Sequence, residues 1–331
     1  MQELSYRLRR FMATVAFAIT ACSLTAVATA EDAYPNRSLK ILVGFPPGGG
    51  VDTIGRALAV RLTESMGKTV IVENRPGANG NISAGFAANS PADGYTLLLI
   101  TVSHSISQSL YSKLNYSLEK DFAPVNYLGR VSEIIVVNPN SKIKTMDDFL
   151  AQAKAQPGSI RYGTSGIGSG EHIAGTMLEQ MAQLKLMHVP YKGGSDAMIA
   201  VVGGSIESSI TTLVTANNFV KAGTLRPLAV SSLQRSPMYP DLPTVHEATG
   251  NSGYEMYTWY GAVVRVGTPK PIIDRLNAEL NKALNHPEMR KVLNTVGIEL
   301  VGGTPEHFGQ IIKTDVAKYG RVIKDANLTL D

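Results

Sequence analysis

The sequence predicts an α/β fold built from two domains with largely parallel sheets. Short apolar runs typical of buried strands alternate with helix-like segments along the chain. Three strand-to-helix junctions, near residues 48, 166 and 194, are rich in glycine and serine. The chain has 331 residues, which is long enough for two domains of typical size.

The predicted strands are short apolar segments bounded by turn-forming residues. Residues 95–101 are almost wholly apolar, as in strands buried on both faces, and Asp93-Gly94 precedes them as a turn. The long turn at residues 74–80 follows the second strand in the same way. Strands are predicted at residues 41–43, 70–72, 95–101, 134–137, 160–162, 186–190, 207–212, 228–231 and 260–266.

The predicted helices follow from apolar stripes at helical spacing and from capping residues. Ile54, Leu58 and Leu62 recur every four residues after a start near Asp52. A capping pattern of Thr145 with Asp148 marks another start. Helices are predicted from near Asp52 to Gly67, at residues 86–88, at 145–156, around 173–181, after 196, at 271–284 and at 305–324.

The first 30 residues predict a secretory signal peptide. Arg7, Arg9 and Arg10 precede an apolar segment at residues 11–20, and Ala28-Thr29-Ala30 is a typical cleavage site. Two alternatives are a retained N-terminal anchor and a lipoprotein attached at Cys22, which ends a lipobox-like segment.

Composition excludes several classes of function for the processed chain. Cys22 is the only cysteine, so cleavage after Ala30 leaves neither a disulfide nor a cysteine metal site. The net charge is +4 for the whole chain and +2 without the signal, and there is no basic stripe for nucleic acid. After residue 30 no apolar run reaches membrane-spanning length.

The segment at residues 39–52 predicts an anion site. A buried strand is followed by Pro46, Pro47 and three glycines and then by a helix, and a helix N-terminus offers backbone N–H groups at a positive end. The alternative is a tight turn with no ligand. The segment is neither a Walker loop nor a dinucleotide fingerprint, because Thr53 replaces the third glycine.

No enzyme class is indicated. Residues 163–167 break the nucleophile-elbow pattern at the last position. The six histidines include no pair at helical metal-site spacing, so we predict neither a metal nor another cofactor.

Blocks along the whole processed chain resemble the substrate-binding receptors of tripartite tricarboxylate transporters, the Bug proteins. The blocks are Tyr34-Pro35, Phe45-Pro46-Pro47-Gly48-Gly49 with Asp52, Glu73-Asn74-Arg75-Pro76-Gly77-Ala78, residues 92–98, 121–125, 162–166 and 188–193, Lys221-Ala222-Gly223, Asp241-Leu242-Pro243-Thr244 and Gly302-Gly303-Thr304-Pro305.

This resemblance implies a type II periplasmic-binding-protein fold, in which two α/β domains joined by crossing strands enclose a ligand cleft. We predict one domain at residues 34–131 and 254–331, and the other at 132–253. The implied function is periplasmic capture of a small carboxylate (a di- or tricarboxylate, an acidic amino acid or an aromatic acid) by a monomer. The partners implied are a large and a small inner-membrane transporter subunit.

The resemblance also implies which residues contact the ligand. The matching positions are Phe45, Pro47, Gly48, Gly49 and Asp52; Thr101, Ser103 and His104; Ser165, Gly166 and Ser169; Gly193, Gly194 and Ser195; and, as a possible cleft wall, Trp259. Gly50, Val51 and Asn79 are candidates for tuning the pocket.

Several of these assignments have a structural alternative. Asp52 is also a candidate helix cap, His104 a buried cleft-edge histidine, and Trp259 a structural aromatic of the hinge. Two other functions are open as well: a receptor that reports a ligand to a signalling partner, and an exported hydrolase using Ser165 or Ser169.

Overall fold

The computed structural model describes residues 34–330, so the predicted signal peptide and Cys22 lie outside the described residues. Its strands confirm every predicted strand position. They are β1 (Leu39–Val43), β2 (Val70–Asn74), β3 (Thr96–Thr101), β4 (Phe122–Val137), β5 (Arg161–Thr164), β6 (Met187–Pro190), β7 (Ser208–Thr212), β8 (Arg226–Val230), β9 (Tyr257–Arg265) and β10 (Glu299–Leu300).

The helices include all those predicted and several that the sequence did not indicate, among them α3, α7, α8 and α10 in the numbering that follows. They are α1 (Gly50–Met66), α2 (Asn81–Ala88), α3 (Val102–Leu110), α4 (Met146–Ala155), α5 (Gly170–Ala182), α6 (Gly194–Val202), α7 (Leu213–Lys221), α8 (Val245–Thr249), α9 (Lys270–Leu284), α10 (Pro287–Thr295) and α11 (Pro305–Asp325).

The strands form a sheet in the order β2-β1-β3-β9-β4-β7-β5-β6, with β8 and β10 also paired to β4. The first domain has β1 parallel to both β2 and β3, and the second has β5 parallel to both β6 and β7. Two α/β domains are therefore present, as predicted. Their residue boundaries stay a prediction.

The two domains are joined by β4 and β9, which pair in antiparallel fashion along most of their length. Phe122 to Ser132 of β4 face β9, and Glu133 to Val137 continue into the second domain against β7. The predicted strand at residues 134–137 is thus only the end of a 16-residue strand. Pro124, Asn126 and Gly129 interrupt its apolar pattern, which is why the sequence did not reveal its length.

Local chemistry explains where the helices begin. Thr145 and Asp148 form the predicted capping box of α4. The last three helices each have a proline in the first turn, where the missing N–H has no intrahelical partner to lose. Their apolar faces pack on the sheet, with Phe308 of α11 fully buried against β9. No helix among residues 34–330 has both the length and the apolar character needed to cross a membrane.

The close packing of α11 on β9 gives a first prediction. A Cβ at Gly261 of β9 would overlap the Phe308 ring. Gly261→Ala should lower the free energy of unfolding by about 1–3 kcal/mol, as overpacked cores do, in a denaturant titration. At Gly253 a Cβ meets only the flexible end of Met181, at 3.3 Å. Gly253→Ala should therefore change stability little, and equal losses in both variants would contradict this packing.

Candidate functional site

The first glycine-rich loop lies between β1 and α1 and leaves the helix end open. Gly49 is the N-cap residue of α1 with an extended backbone, and no side chain caps the helix. Gly48 has φ of +88°, which favours glycine, and both glycines are exposed. The N–H groups of the first turn thus face outward at the positive end of a 17-residue helix. This arrangement suits an anion.

Asp52 stabilises the conformation of this loop through hydrogen bonds. Its Oδ2 accepts hydrogen bonds from the Gly48 N–H and Arg56 Nε, both at 2.9 Å, and its Oδ1 accepts one from Asn74 Nδ2 at 2.8 Å. Burial raises the pKa of Asp52, but the hydrogen bonds from Arg56, Gly48 and Asn74 outweigh that effect and lower it. The carboxylate is 2% exposed. Both carboxylate oxygens of Asp52 therefore bond to groups of the protein that support the loop, and a direct contact of Asp52 with a ligand stays a prediction.

The residues that follow β3 form a capped helix start. The Thr101 hydroxyl accepts from the Ser103 N–H at 3.3 Å, and the Thr101 N–H donates to His104 Nδ1 at 3.1 Å. His104 is fully buried and lies edge-on to Phe45, with ring centroids 6.2 Å apart. Burial lowers the pKa of His104 to about 4, so the imidazole is neutral and supports the Phe45 side of the first loop.

The second glycine-rich loop is also internally bonded. The Ser169 hydroxyl accepts from the His172 N–H at 3.2 Å and donates to the Gly166 carbonyl at 2.8 Å. The Ser165 hydroxyl donates to Glu171 Oε2 at 2.7 Å. Within residues 34–330 neither serine hydroxyl bonds to a histidine ring, so neither serine is part of a Ser–His pair.

A histidine pair supports the second loop. The rings of His172 and His188 stack with centroids 4.0 Å apart and an interplanar angle of 18°. His172 Nδ1 accepts from the Gly168 N–H at 3.2 Å, and His188 Nε2 lies 2.7 Å from the Thr164 hydroxyl. Burial lowers the pKa of His172 to about 4, and burial together with the neighbouring His172 lowers that of His188 to about 3. Both rings are neutral near pH 7.

The third loop repeats the open geometry of the first. Gly193 is the N-cap residue of α6 with an extended backbone, and again no side chain caps the helix. A Cβ at Gly194 would come within 2.9 Å of the Thr211 hydroxyl, which explains the second glycine. Ser195 and Asp196 are exposed in the first turn. Glycine N-caps therefore distinguish α1 and α6 from α3 and α5, which Thr101 and Ser169 cap.

The loops of the two domains meet. Asn79, in the short turn Ala78–Gly80 of the first domain, donates from Nδ2 to the Ile167 carbonyl of the second loop at 2.6 Å. A Cβ at Gly168 of that loop would come within 3.1 Å of the same amide and would overlap Leu110 of α3. The structure thus brings the turn at residues 74–80 against the second loop, with Asn79 bridging the domains.

Trp259 lies away from these loops. Its Nε1 donates to Asp315 at 2.5 Å, and its ring packs between Tyr127 and Phe308, beside a cavity of about 410 Å³. Neighbouring residues of a strand face opposite sides. Tyr260, the next residue, therefore points the other way, and its hydroxyl occupies the space a Cβ would need at Gly50. The structure replaces Trp259 by Tyr260 as the aromatic residue beside the first loop.

Sequence reasoning missed two further residues. Glu133 and Glu171 are both buried near Tyr260 and act on it electrostatically. Glu133 precedes the apolar run at residues 134–137, and Glu171 follows the predicted site residue Ser169 by two positions. An acidic residue beside an apolar run was the available indication.

Sequence comparison identifies relatives over nearly the whole chain. The model of the "Tripartite tricarboxylate transporter family receptor" matches residues 54–328. Protein BugT of Bordetella pertussis is 31% identical over 323 residues, which span 97% of this chain and 98% of BugT.

Solved structures of similar fold include two with bound acids. Rpa4515 of R. palustris with adipate superposes with a TM-score of 0.83 at 31% identity, covering 89% of this chain and 99% of that one. MatC from Rhodopseudomonas palustris with bound malate has a TM-score of 0.79 at 25% identity, covering 88% and 100%. These likenesses confirm the predicted fold class.

The role of Asp52 can be tested by stability. Asp52→Asn removes the charge from the hydrogen bonds to Gly48 and Arg56 and should lower the free energy of unfolding by about 1–3 kcal/mol in a denaturant titration. Glu64→Gln, in the exposed Arg61–Glu64 pair of the same helix, is the matched control and should change it by less than about 1 kcal/mol. Equal effects would contradict the inward role of Asp52.

The histidine pair predicts a loss of stability in acid. The pKa of both rings is 6.5 when exposed and far lower in the folded protein. As the pH falls from about 6.5 to about 4, the unfolded chain takes up protons that the folded protein does not, so the free energy of unfolding decreases. Melting temperatures between pH 7 and pH 4 should fall less steeply in His188→Gln than in the wild type. His307→Gln, at an exposed position, should leave the slope unchanged.

Proposed function

This chain belongs to the tripartite tricarboxylate transporter receptor family, and on that premise we propose that it captures a small carboxylate between its two domains. The observation that supports the proposal is the pair of open helix ends at Gly49 and Gly193. Carboxylate oxygens accept strongly from such backbone N–H groups, and closure of the domains excludes water from the bonds. The family and the fold are those of solute-binding receptors.

The acids bound by related proteins agree with this class of ligand. Adipate and malate, present in the two related structures, are both dicarboxylates. The charged side chains near the first loop are already used, because Arg56 pairs with Asp52 and Arg75 pairs with Glu73. Recognition of the anion therefore falls to backbone N–H groups, with Phe45 and the serine hydroxyls shaping the cleft.

We propose that the loaded protein delivers its ligand to the large and small inner-membrane subunits of a transporter. In this scheme the signal at residues 1–30 directs the chain to the periplasm, where it works as a monomer. Domain closure would bend β4 and the segment before β9, near residues 130 and 254, because the chain passes between the two predicted domains in those segments.

The proposal is tested by calorimetry with mono-, di- and tricarboxylates. At least one acid should bind, and Gly49→Val should weaken that binding tenfold or more while the melting temperature is kept. A Cβ at Gly49 has only the Pro46 carbonyl within 4 Å, at 3.8 Å, so the branch would project into the ligand's space and not into the protein.

Gly309→Ala is the control for this experiment, because Gly309 lies inside α11 and a Cβ there meets only the Pro124 ring, at 3.4 Å. Its affinity should equal that of the wild type. Binding of sugars or cations but of no acid would overturn the carboxylate assignment. Unchanged affinity in Gly49→Val would place the ligand elsewhere.

A further inference from the structure

Two glutamates lie buried where the crossing strands meet the start of α5. Glu133 of β4 is 1% exposed, and Glu171 in the first turn of α5 is 7% exposed. Among residues 34–330 neither carboxylate takes part in an ion pair. Buried carboxylates are ordinarily paired with a cation, because an isolated buried charge is strongly unfavourable.

Glu133 is held in place with one oxygen unused. Its Oε1 accepts from the Thr258 hydroxyl at 2.7 Å, while its Oε2 is buried without a hydrogen-bond partner. The backbone N–H of Glu133 cannot donate to this oxygen, because it donates to the Ser231 hydroxyl at 2.7 Å. The Glu133 carbonyl accepts from the Ser231 N–H at 2.9 Å. An unpartnered buried oxygen on a fixed strand position is unfavourable, and a hydrogen-bond donor that bound there would relieve it.

The surroundings of Glu133 contain acids and phenols. Burial, and then the neighbouring Glu171, raise the pKa of Glu133 well above its ordinary value. The other ionisable groups coupled to it are Tyr254, Tyr260 and Tyr319. None of these groups is basic, so a cation that bound here would stabilise the ionised form of Glu133.

The acidic pair and the open end of α1 both lie near Tyr260. The Tyr260 hydroxyl touches the Gly50 position at the helix start, and the same side chain is coupled to both glutamates. Glu171 is in turn bonded to Ser165 of the second loop. The positive helix end and the two acidic side chains thus lie near the same aromatic residue.

We propose that Glu133 and Glu171 bind the ammonium group of an amino carboxylate whose carboxylate lies on the open helix ends. This rests on the proposed function and narrows its ligand class to acids that also carry a protonated amine. An ammonium donates up to three hydrogen bonds, to the free Glu133 Oε2 and to Glu171 among others. A plain dicarboxylate of the same length leaves the pair without a partner.

The test is calorimetry with matched pairs of acids: L-aspartate with succinate, and L-glutamate with glutarate. In at least one pair the amino acid should bind the wild type tenfold or more tightly than its des-amino partner. Glu133→Gln should remove this preference without weakening the des-amino acid, because the amide oxygen still accepts from Thr258. Glu179→Gln is the matched control, since Glu179 is a half-buried glutamate of the same helix as Glu171, bonded to the Leu186 N–H.

Proton release gives a second measurement on the same variants. The arriving ammonium lowers the pKa of Glu133, so binding should release a proton, which calorimetry in two buffers of different ionisation enthalpy detects. Glu133→Gln should release fewer protons than the wild type.

Three results would overturn the proposal: des-amino acids binding as tightly as the amino acids, a preference that survives in Glu133→Gln, or hydroxy acids such as malate binding as tightly as the amino acids. The last result would mean that the pair accepts from a hydroxyl group. These outcomes leave the carboxylate receptor intact. Failure of every acid to bind would instead overturn the proposed function, and with it this inference.

Discussion

The pairing of β4 with β9 is the interaction on which the rest of the structure depends. β4 runs through both domains, first against β9 and then against β7 and β8, so it fixes how the two sets of parallel strands are placed. The change of partner occurs between Ser132 and Glu133. The acidic side chain of Glu133 therefore lies where β4 passes from its pairing with β9 to its pairing with β7.

The helix starts around the cleft divide into two kinds. Thr101 and Ser169 cap α3 and α5, and the histidines beside them are buried and neutral, which makes these two starts part of the framework. Gly49 and Gly193 begin α1 and α6 without a side-chain cap. A side-chain cap and a ligand carboxylate compete for the same N–H groups, so a glycine N-cap keeps those groups available. The capped starts of α3 and α5 thus bond their first N–H groups to side chains, whereas the uncapped starts of α1 and α6 leave those groups available.

Sequence reasoning found the elements whose signals are local. Apolar runs and glycine junctions predicted the strands and the three loops, and the open ends of α1 and α6 followed from them. It missed α3, whose serines hide its apolar period, and the first part of β4, where Pro124 and Gly129 interrupt the run. It named Trp259, together with Tyr257 and Tyr260, as a possible cleft wall and could not separate them, because the side that a strand residue faces depends on sheet register. It missed Glu133 and Glu171, because an acidic residue beside an apolar run is a weak signal and the partners that bury the two side chains come from distant segments.

With two buried acids near the crossing strands, closure of the domains would depend on the charge that the ligand brings to them. Glu133 and Glu171 are both buried, and the cost of burying charge raises the pKa of Glu133 well above its ordinary value. A ligand shifts a conformational equilibrium only by its different affinity for the two states. In the proposed binding mode a dipolar ligand would gain at both ends on closure, because its carboxylate would meet the helix N-termini while its ammonium would neutralise the acids. An anion without the amine would gain at one end and add negative charge near the other. Selectivity between the two would then arise in the closed state, from the same low-dielectric surroundings that make the unpaired acids unfavourable.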